Sequence, residues 1–545
     1  TLPRELVERI FLLLDTKSML TCRLVNRDFN KILQSSMLLY PLACKAAGVI
    51  DNPRSPFSYA ERLDALLKRE DAWRNLKPVF KMTIKVDHQP PLGSIYAVAE
   101  GAYFMNDRNH NLHYCHFPSS PADNPQWIGI PAHGPGEGRH GIFVTFGISL
   151  YEHDLLVNVI SYAYLAGMQR HSLDLVFLKF STGAYHPLAC HPRIHLQRSS
   201  EARPLILPSI VGDNLALVVQ SQDTTFSDKL FIFDWRTGHK RLEHKAVEHA
   251  YSRSTLVFVS PELLLVPNLT LSHFEVWHLP PSNPDPEPPI QILSLKIPAI
   301  SSDYSILNLK CNGCPSPFLH SMPYFPPRPF LSSPENSIII VMLRMSLGAQ
   351  SSLVSTMPHP RSSRSRASRT FATSQTSHTL HISADSYSSS IPSGSSTTSS
   401  TSRYDFPQVK WADWGPPISR WFEISDLQSR QVANITGKRY AFTVPSPRDR
   451  RKSMISIADF NPHNFRRNAE TMAEDNGARG NNEEGKEEEE EEEFEMLDHG
   501  GVFSEEVYMG LKCVIYHTPD DYNFEVVLME EQSLLGLKVS TRECR

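Results

Sequence analysis

Leu2, Leu6, Ile10 and the Leu13/Leu14 pair recur at steps of three and four residues, the spacing that lines apolar side chains along one face of a helix. Pro3 suits the first turn, where its missing amide costs no bond. Asp15 or Thr16 can cap a second helix over residues 19–25. Asn26 can cap a third, on which Phe29, Ile32 and Leu33 share a side. Further on, SYAE at 58–61 has capping-box spacing. The helix it opens sets Leu63, Leu66, Leu67, Trp73 and Leu76 on one side. Residues 1–76 therefore read as helical.

From about residue 79 the period falls from 3.6 to 2. In VFKMTIKV, Phe80, Met82, Ile84 and Val86 alternate with Lys81, Thr83 and Lys85, as in a half-buried strand. Short strand signals follow, separated by Gly, Pro, Asn and Asp. Several share one ending: NLHYCHFP, LDLVFLKFSTGAYHPL, KLFIFDWRTGHKRL and HFEVWHLPP. With Phe117, Phe180, Trp235 and Trp277 as equivalent marks, the gaps are 63, 55 and 42 residues. The shortest lies near the ~40–50 residues of a four-stranded propeller blade. The STG and RTG turns call for positive φ at Gly183 and Gly238. The expected fold class is α+β multidomain: short all-α helices, then a mainly-β domain forming a β-propeller of six to eight blades at ~45–60 residues each. A double-sheet sandwich is the alternative, strained by so many short strands. Closing a ring removes exposed sheet edges, so the strand at 80–86 is expected to pair with the last blade.

Composition alters this picture in two places. Residues 346–403 are dominated by Ser, Thr, Arg and Pro, with too few large apolar side chains to offset the entropy of ordering. One weak strand, HTLHIS at 378–383, lies inside. Residues 468–500 hold seven consecutive Glu at 487–493 and should be solvated. The net charge of −5 hides this, because eleven acidic residues and one Lys at 483–498 carry −10 and leave about +5 on the rest. The resulting division is helices at 1–48, a linker with an amphipathic helix at 49–78, β domain at 79–345, insertion at 346–403, β domain at 404–467, acidic insertion at 468–500 and closing strands at 501–545. A chain of 545 residues that is 40% hydrophobic supports a sizeable core. No apolar run nears the ~18–20 residues of a membrane-spanning helix, so no membrane role is expected. Eight cysteines without a disulfide rhythm suggest a reducing compartment, cytoplasmic and/or nuclear. The Asn-x-Thr triplets at Asn268 and Asn434 then carry little weight.

LPRELVERIFLLLDTKSMLTCRLVNRDFNKIL resembles the F-box. That family's pattern is Leu-Pro-x-Glu-Leu, then Ile-Phe, a Leu closing the first helix, a Leu-containing second helix and Val-Cys-x-x-aromatic. It is matched at Leu2, Pro3, Glu5, Leu6, Ile10, Phe11, Leu14, Leu20, Leu24, Val25 and Phe29. Asn26 stands where Cys is usual, and Phe29 where Trp is common. The resemblance covers about the first 45 residues, and the layout of the whole chain is similar to fungal F-box proteins. It implies docking on the Skp-type adaptor of a cullin (SCF) ubiquitin ligase, with the β domain holding a protein substrate. It implies no catalysis by this chain and no cofactor. It points to Leu2, Pro3, Leu6, Ile10, Leu14, Leu20 and Val25 as the adaptor contacts. The alternative is an F-box scaffold acting outside a ligase; more distant is a propeller enzyme with carboxylates or histidines converging on its axis. The plainest view packs the helices on the β domain as a satellite core, leaving nothing to dock.

Catalytic signatures are absent: no Gly-rich phosphate loop, no Gly-x-Ser-x-Gly, no His-Glu-x-x-His. Cys311 and Cys314 have CxxC spacing with His320 beyond, but a structural zinc needs four ligands and no second pair exists. In HNLHYCH, His113 and Cys115 face one way along a strand and His116 the other, with His110 further off. No metal site is expected from either. The basic patches at 361–369 and 448–452 lack the interleaved aromatics of nucleic-acid binders. The second is a candidate import signal, with Ser446 and Ser453 as phosphorylation candidates.

Overall fold

The computed structural model describes residues 2–14, 16–86, 96–107, 111–135, 141–163, 170–221, 227–247, 249–281, 287–347, 370–376, 406–424, 434–449, 452–477, 494–524 and 526–537. Its helices begin with α1 (Arg4–Leu12), α2 (Thr16–Val25) and α3 (Arg27–Leu33). Asn26 caps α3 as expected, its Oδ1 accepting the Phe29 amide at 2.7 Å. Val7, Phe11, Met19 and Leu33 converge on Leu38, and the Phe11 ring meets Phe29 edge-on at 5.2 Å. Leu38 belongs to α4 (Ser36–Ala47), which the sequence pattern did not reveal: it contains Pro41 and is apolar nearly all round. Gly48, at φ +66°, ends it in the left-handed conformation that favours glycine.

α4 is apolar all round because it belongs to two cores. Leu38 faces the first three helices, whereas Tyr40 and Cys44 pack with Val49, Leu66 and Phe330. Leu66 lies on α5 (Tyr59–Asn75), opened by the expected Ser58–Glu61 capping box. Between α4 and α5, strand Val49–Asp51 pairs antiparallel with Phe330–Ser332 of the β domain. Asp51 accepts bonds from Tyr40 Oη (2.9 Å) and Arg62 Nη1 (2.8 Å). Near the end of α5, the Arg439 guanidinium is buried between Glu70 and Asp459 and lies over the Trp73 ring. The helices are thus fastened to the β domain by ladder, salt bridge and stacking together.

The β domain is a succession of sheets joined in chain order. Sheet 1 runs from Tyr96–Ala99 to Ile128–Ile130, sheet 2 from Ile142–Ser149 to Arg193–Ser199, and sheet 3 from Leu205–Val211 to Lys240–Lys245. Sheet 4, from Val257–Ser260 to Ile290–Lys296, gains a parallel fifth strand, Gln408–Val409. Sheet 5 combines Tyr304–Gly313, Ile338–Leu347, Thr370–Thr376 and Ser419–Ile424. Sheet 6 runs from Ile435–Thr436 to Val514–His517, and the hairpin Val526–Glu530/Ser533–Leu537 follows. Strand alternation buries both faces of the middle sheets. Leu155, Val157 and Val159 pack toward sheet 3, while Leu156 and Ile160 pack toward sheet 1. Val527 and Met529 of the hairpin pack on Ala441, Ile455 and Ile457 of sheet 6 and on Trp73 of α5. The hairpin also abuts the first strand of sheet 1, so the succession closes on itself.

The region is propeller-like, with corrections to what the sequence suggested. Among the described residues five sheets are regular four-stranded blades, short of the six to eight expected. The remaining length goes into the five-stranded sheet, the hairpin and long connections. The strand expected at 80–86 is not formed. Phe80, Met82 and Ile84 are half-buried in alternation, but the segment is held by side chains, with Lys81 near Asp520 (3.4 Å) and Trp127 Nε1 donating to the Lys85 carbonyl (3.0 Å). Beside it, the Ser453 edge of sheet 6 is already bonded to Tyr522. The recurring mark is real but shifted once. Phe117, Phe180, Trp235, Leu279 and Phe460 each follow a third strand, and each donates its amide to the turn between the first two strands, at Gly101, Asp154, Asp213, Glu262 and Lys438. Leu279 replaces Trp277 because strand His273–His278 runs past the tryptophan. Gly183 and Gly238 have φ of +68° and +76°, as required.

Within the expected insertion at 346–403, Thr370–Thr376 is a ladder strand paired on both sides; the strand expected at 378–383 lies outside the described residues. Helix Pro462–Gly477 extends into the expected acidic insertion, and Glu495–Met496 pairs with Tyr508–Met509. The Glu run at 487–493 lies outside the described residues.

Candidate docking face of the N-terminal helices

α1 carries two apolar stripes with different fates. Val7 and Phe11 point inward and complete the small core, with Leu14 half-buried beside them. Leu6 and Ile10 stay 45% and 46% exposed, Leu2 62% and Leu13 87%. On α2, Leu24 and Val25 are 87% and 63% exposed. Pro3 is exposed too, its carbonyl starting the helix by accepting from Leu6 (3.1 Å) and Val7 (3.2 Å). An Arg4–Glu8 pair at 2.8 Å flanks this face.

Of the contacts expected from sequence, Leu2, Pro3, Leu6, Ile10 and Val25 are thus exposed, and Leu14 packs against the core. Leu20 lies on α2, with its side chain outside the described residues. Leu13 and Leu24, the barest of all, are not among the contacts that the resemblance implies. Their signal was the step of three from Ile10 to Leu13 and the motif position of Leu24. Leu2, Leu6, Ile10 and Leu13 on α1 and Leu24 and Val25 on α2 are thus apolar side chains left to solvent.

The other sequence candidates do not assemble. Among the described residues no group of His, Cys, Asp and Glu is arranged to hold a metal ion. Burial pushes the Cys311 and Cys314 thiols well above their ordinary range. His113 is turned to Asp107 at 3.1 Å, Cys115 is buried, and His110 lies outside the described residues. Ser446 is buried, its Oγ accepting the Arg448 amide at 3.0 Å, which withdraws it as a phosphorylation candidate. No helix among the described residues is long and apolar enough to cross a membrane.

The fold is a small helical module joined to a β-propeller-like region. The chain carries an F-box domain: the F-box family pattern matches residues 1–40. No curated protein matches the chain by sequence. Among solved structures, the WD40 domain of SCAP from fission yeast aligns at 6% identity and TM-score 0.29, over 68% of this chain and 82% of that one. The coronin WD40 domain of Toxoplasma gondii aligns at 8% and 0.28, over 67% and 65%. For the Cps50 (Swd1) β-propeller domain of Myceliophteria thermophila the values are 8% and 0.24, over 44% of this chain and 63% of that chain.

Proposed function

We propose that this chain is the substrate-recognition subunit of an SCF-type cullin ubiquitin ligase. Residues 1–48 bind the Skp-type adaptor and, through it, the cullin; the ring made by residues 79–345, 404–467 and 501–545 holds a protein target, in the cytoplasm or nucleus. The observation that carries this reading is the exposure of Leu2, Leu6, Ile10 and Leu13 on α1 and of Leu24 and Val25 on α2, beside a core that is complete without them. Full burial of a large apolar side chain is worth ~1.5–3 kcal/mol, so covering six half- to fully exposed ones is worth roughly 10 kcal/mol gross. Association and ordering costs consume much of that. The role in catalysis is positional: no bond is made or broken by this chain, and the gain is effective concentration of target lysines near the loaded conjugating enzyme.

The test is co-purification of the tagged chain with Skp-type adaptor and cullin, comparing wild type with Leu6→Asp/Ile10→Asp. The two carboxylates would be buried without partners, so adaptor recovery should fall at least 100-fold while the ring's melting is unchanged. Adaptor binding that survives the double substitution would refute the docking face. Adaptor without cullin would point instead to a scaffold outside the ligase.

A further inference from the structure

Between the third strand of sheet 6 and its last, the chain builds a two-stranded ribbon, Glu495–Met496 paired antiparallel with Tyr508–Met509. The ribbon is fastened between sheets 4 and 5. Beyond the end of sheet 4, the Ser301 amide donates to the Val502 carbonyl (2.9 Å) and the Ser504 amide to that of Ala299 (2.8 Å). On the side of sheet 5, the Gly510 amide donates to Pro416 (2.7 Å) and the Leu511 amide to Ser419 (3.1 Å). Register then sets which way each side chain faces. Leu497, Val507 and Met509 take the inner face and pack into the core with Trp421 and Phe503. Met496 stands opposite Tyr508 on the outer face, with Phe494 two residues before it. All three are exposed, Met496 to 61%. Gly510 continues that face, and a Cβ there would meet the Phe494 ring at 2.7 Å, so glycine is what lets the ring lie across the ribbon.

The water-facing side of an antiparallel pair is ordinarily polar. This one sets Phe, Met and Tyr side by side and surrounds them with carboxylates. Residues 494–509 contain Glu495, Asp498, Glu505 and Glu506 and no Lys or Arg. Asp498 and Glu506 are exposed, and Glu506 accepts the Tyr508 hydroxyl at 2.6 Å. Two neighbouring cations are turned elsewhere: Arg420 gives two bonds to Glu495 (3.1 and 2.9 Å), and Lys512 lies over the Phe465 ring. The sequence leading into Phe494 keeps the same sign, with seven consecutive Glu at 487–493.

We infer that the outer face of this ribbon docks a basic segment of a partner protein, one in which apolar side chains alternate with Lys or Arg. Its apolar side chains cover Phe494, Met496 and Tyr508, and its cations meet Asp498 and Glu506. Three adjoining large apolar residues supply the attraction at contact. The single sign of charge selects a cationic partner, disfavours nucleic acid and speeds encounter. Because the ribbon is bonded on both flanks, it is presented without an ordering cost of its own. None of these residues belongs to the docking face on α1 and α2, so the inference goes beyond the ligase reading and does not depend on it.

A fluorescein-labelled peptide, Lys-Leu-Lys-Leu-Lys-Leu-Lys, is titrated against the full-length chain by anisotropy. Peptides of the same length with Glu in place of Lys, or Ser in place of Leu, are the controls. The first peptide should bind, the Glu peptide should not, and the Ser peptide should bind at least tenfold more weakly. Met496→Ser and Glu506→Gln should each weaken binding at least fivefold with unchanged melting, since both side chains are exposed and Gln keeps an acceptor for Tyr508. Absence of binding overturns the inference. Equal binding by wild type and Met496→Ser does so too, because the Glu run alone would then hold the peptide. Binding seen only after residues 378–403 are replaced by a Gly-Ser segment of equal length would make that stretch the occupant, and dimerisation of the chain abolished by Met496→Ser would make it a second copy; either result overturns the inference. Adaptor recovery from the same preparations should be untouched by Met496→Ser, so this surface and the ligase reading fail separately.

Discussion

Phe11 and Leu13 are two positions apart and have opposite physical roles. Phe11 is buried against Phe29 and Met19, so Phe11→Ala should cost ~3–5 kcal/mol and melt the first helices. Leu13, at 87% exposure, touches little, as does Leu24. Leu13→Ser and Leu24→Ser should each change stability by less than ~0.5 kcal/mol while weakening adaptor binding at least fivefold, as thermal melts and titration with adaptor would show. Sequence separates such positions imperfectly. Leu6 and Ile10 announce an apolar face by their spacing, but Val7 and Phe11 announce a second one, and nothing in the spacing alone says which looks outward. Leu14, four residues on from Ile10 and past the end of α1, shares that spacing yet packs against the small core.

At the level of elements, the turns between the first and second strands of sheets 1 and 2 carry half-buried Glu100 and buried His153, whose titrations oppose each other. Burial, with the nearby Arg236 cation, lowers His153 to about 4, so the folded protein keeps it neutral. Its unfolded value near 6.5 means that this contribution is present above that pH and is lost as pH falls toward 4. Burial, together with Glu152 and Glu531, raises Glu100 to about 7 despite the Tyr151 and Leu150 amides that face it. A raised carboxyl works the other way: its contribution is present below about 4.5 and is lost as pH rises through 7. Glu100→Gln keeps an acceptor for Tyr151 without a charge. It should therefore be more stable than wild type by ~3 kcal/mol at pH 8 and indistinguishable at pH 4.5, a difference readable in thermal melts at the two values. Element order was largely legible, because period-2 runs between Gly and Pro turns are local signals. Blade number was not. Thr370–Thr376 lies in a Ser-rich stretch and becomes a strand through partners at 338–347 and 419–424, and Gln408–Val409 joins sheet 4 from across the chain. Such pairings are decided by tertiary context, which overrides local propensity. The amphipathic α5 was readable from its capping box; α4 was not, since a helix shared by two cores shows no polar face.

For the whole molecule, the decisive contact is Arg439 between Glu70 of α5 and Asp459 of sheet 6. Arg439→Met would leave the buried Asp459 carboxylate without its cation and Glu70 with Arg69 alone (3.4 Å), a loss of ~3–5 kcal/mol. Limited proteolysis should then cut between residues 52 and 58 faster than in wild type, and the interdomain distance distribution between spin labels on α3 and sheet 2 should broaden. Unchanged proteolysis would show that the ladder at Val49–Asp51 suffices alone. The double membership of α4 has a mechanical corollary. A rod embedded in both the grip and the wall has no hinge, so a load applied at Leu6 or Leu24 travels undamped to Phe330 and the rim of the cup. Pulled from its two ends, the molecule should yield at one force in one step, and the grip should never come away as a separate, softer event.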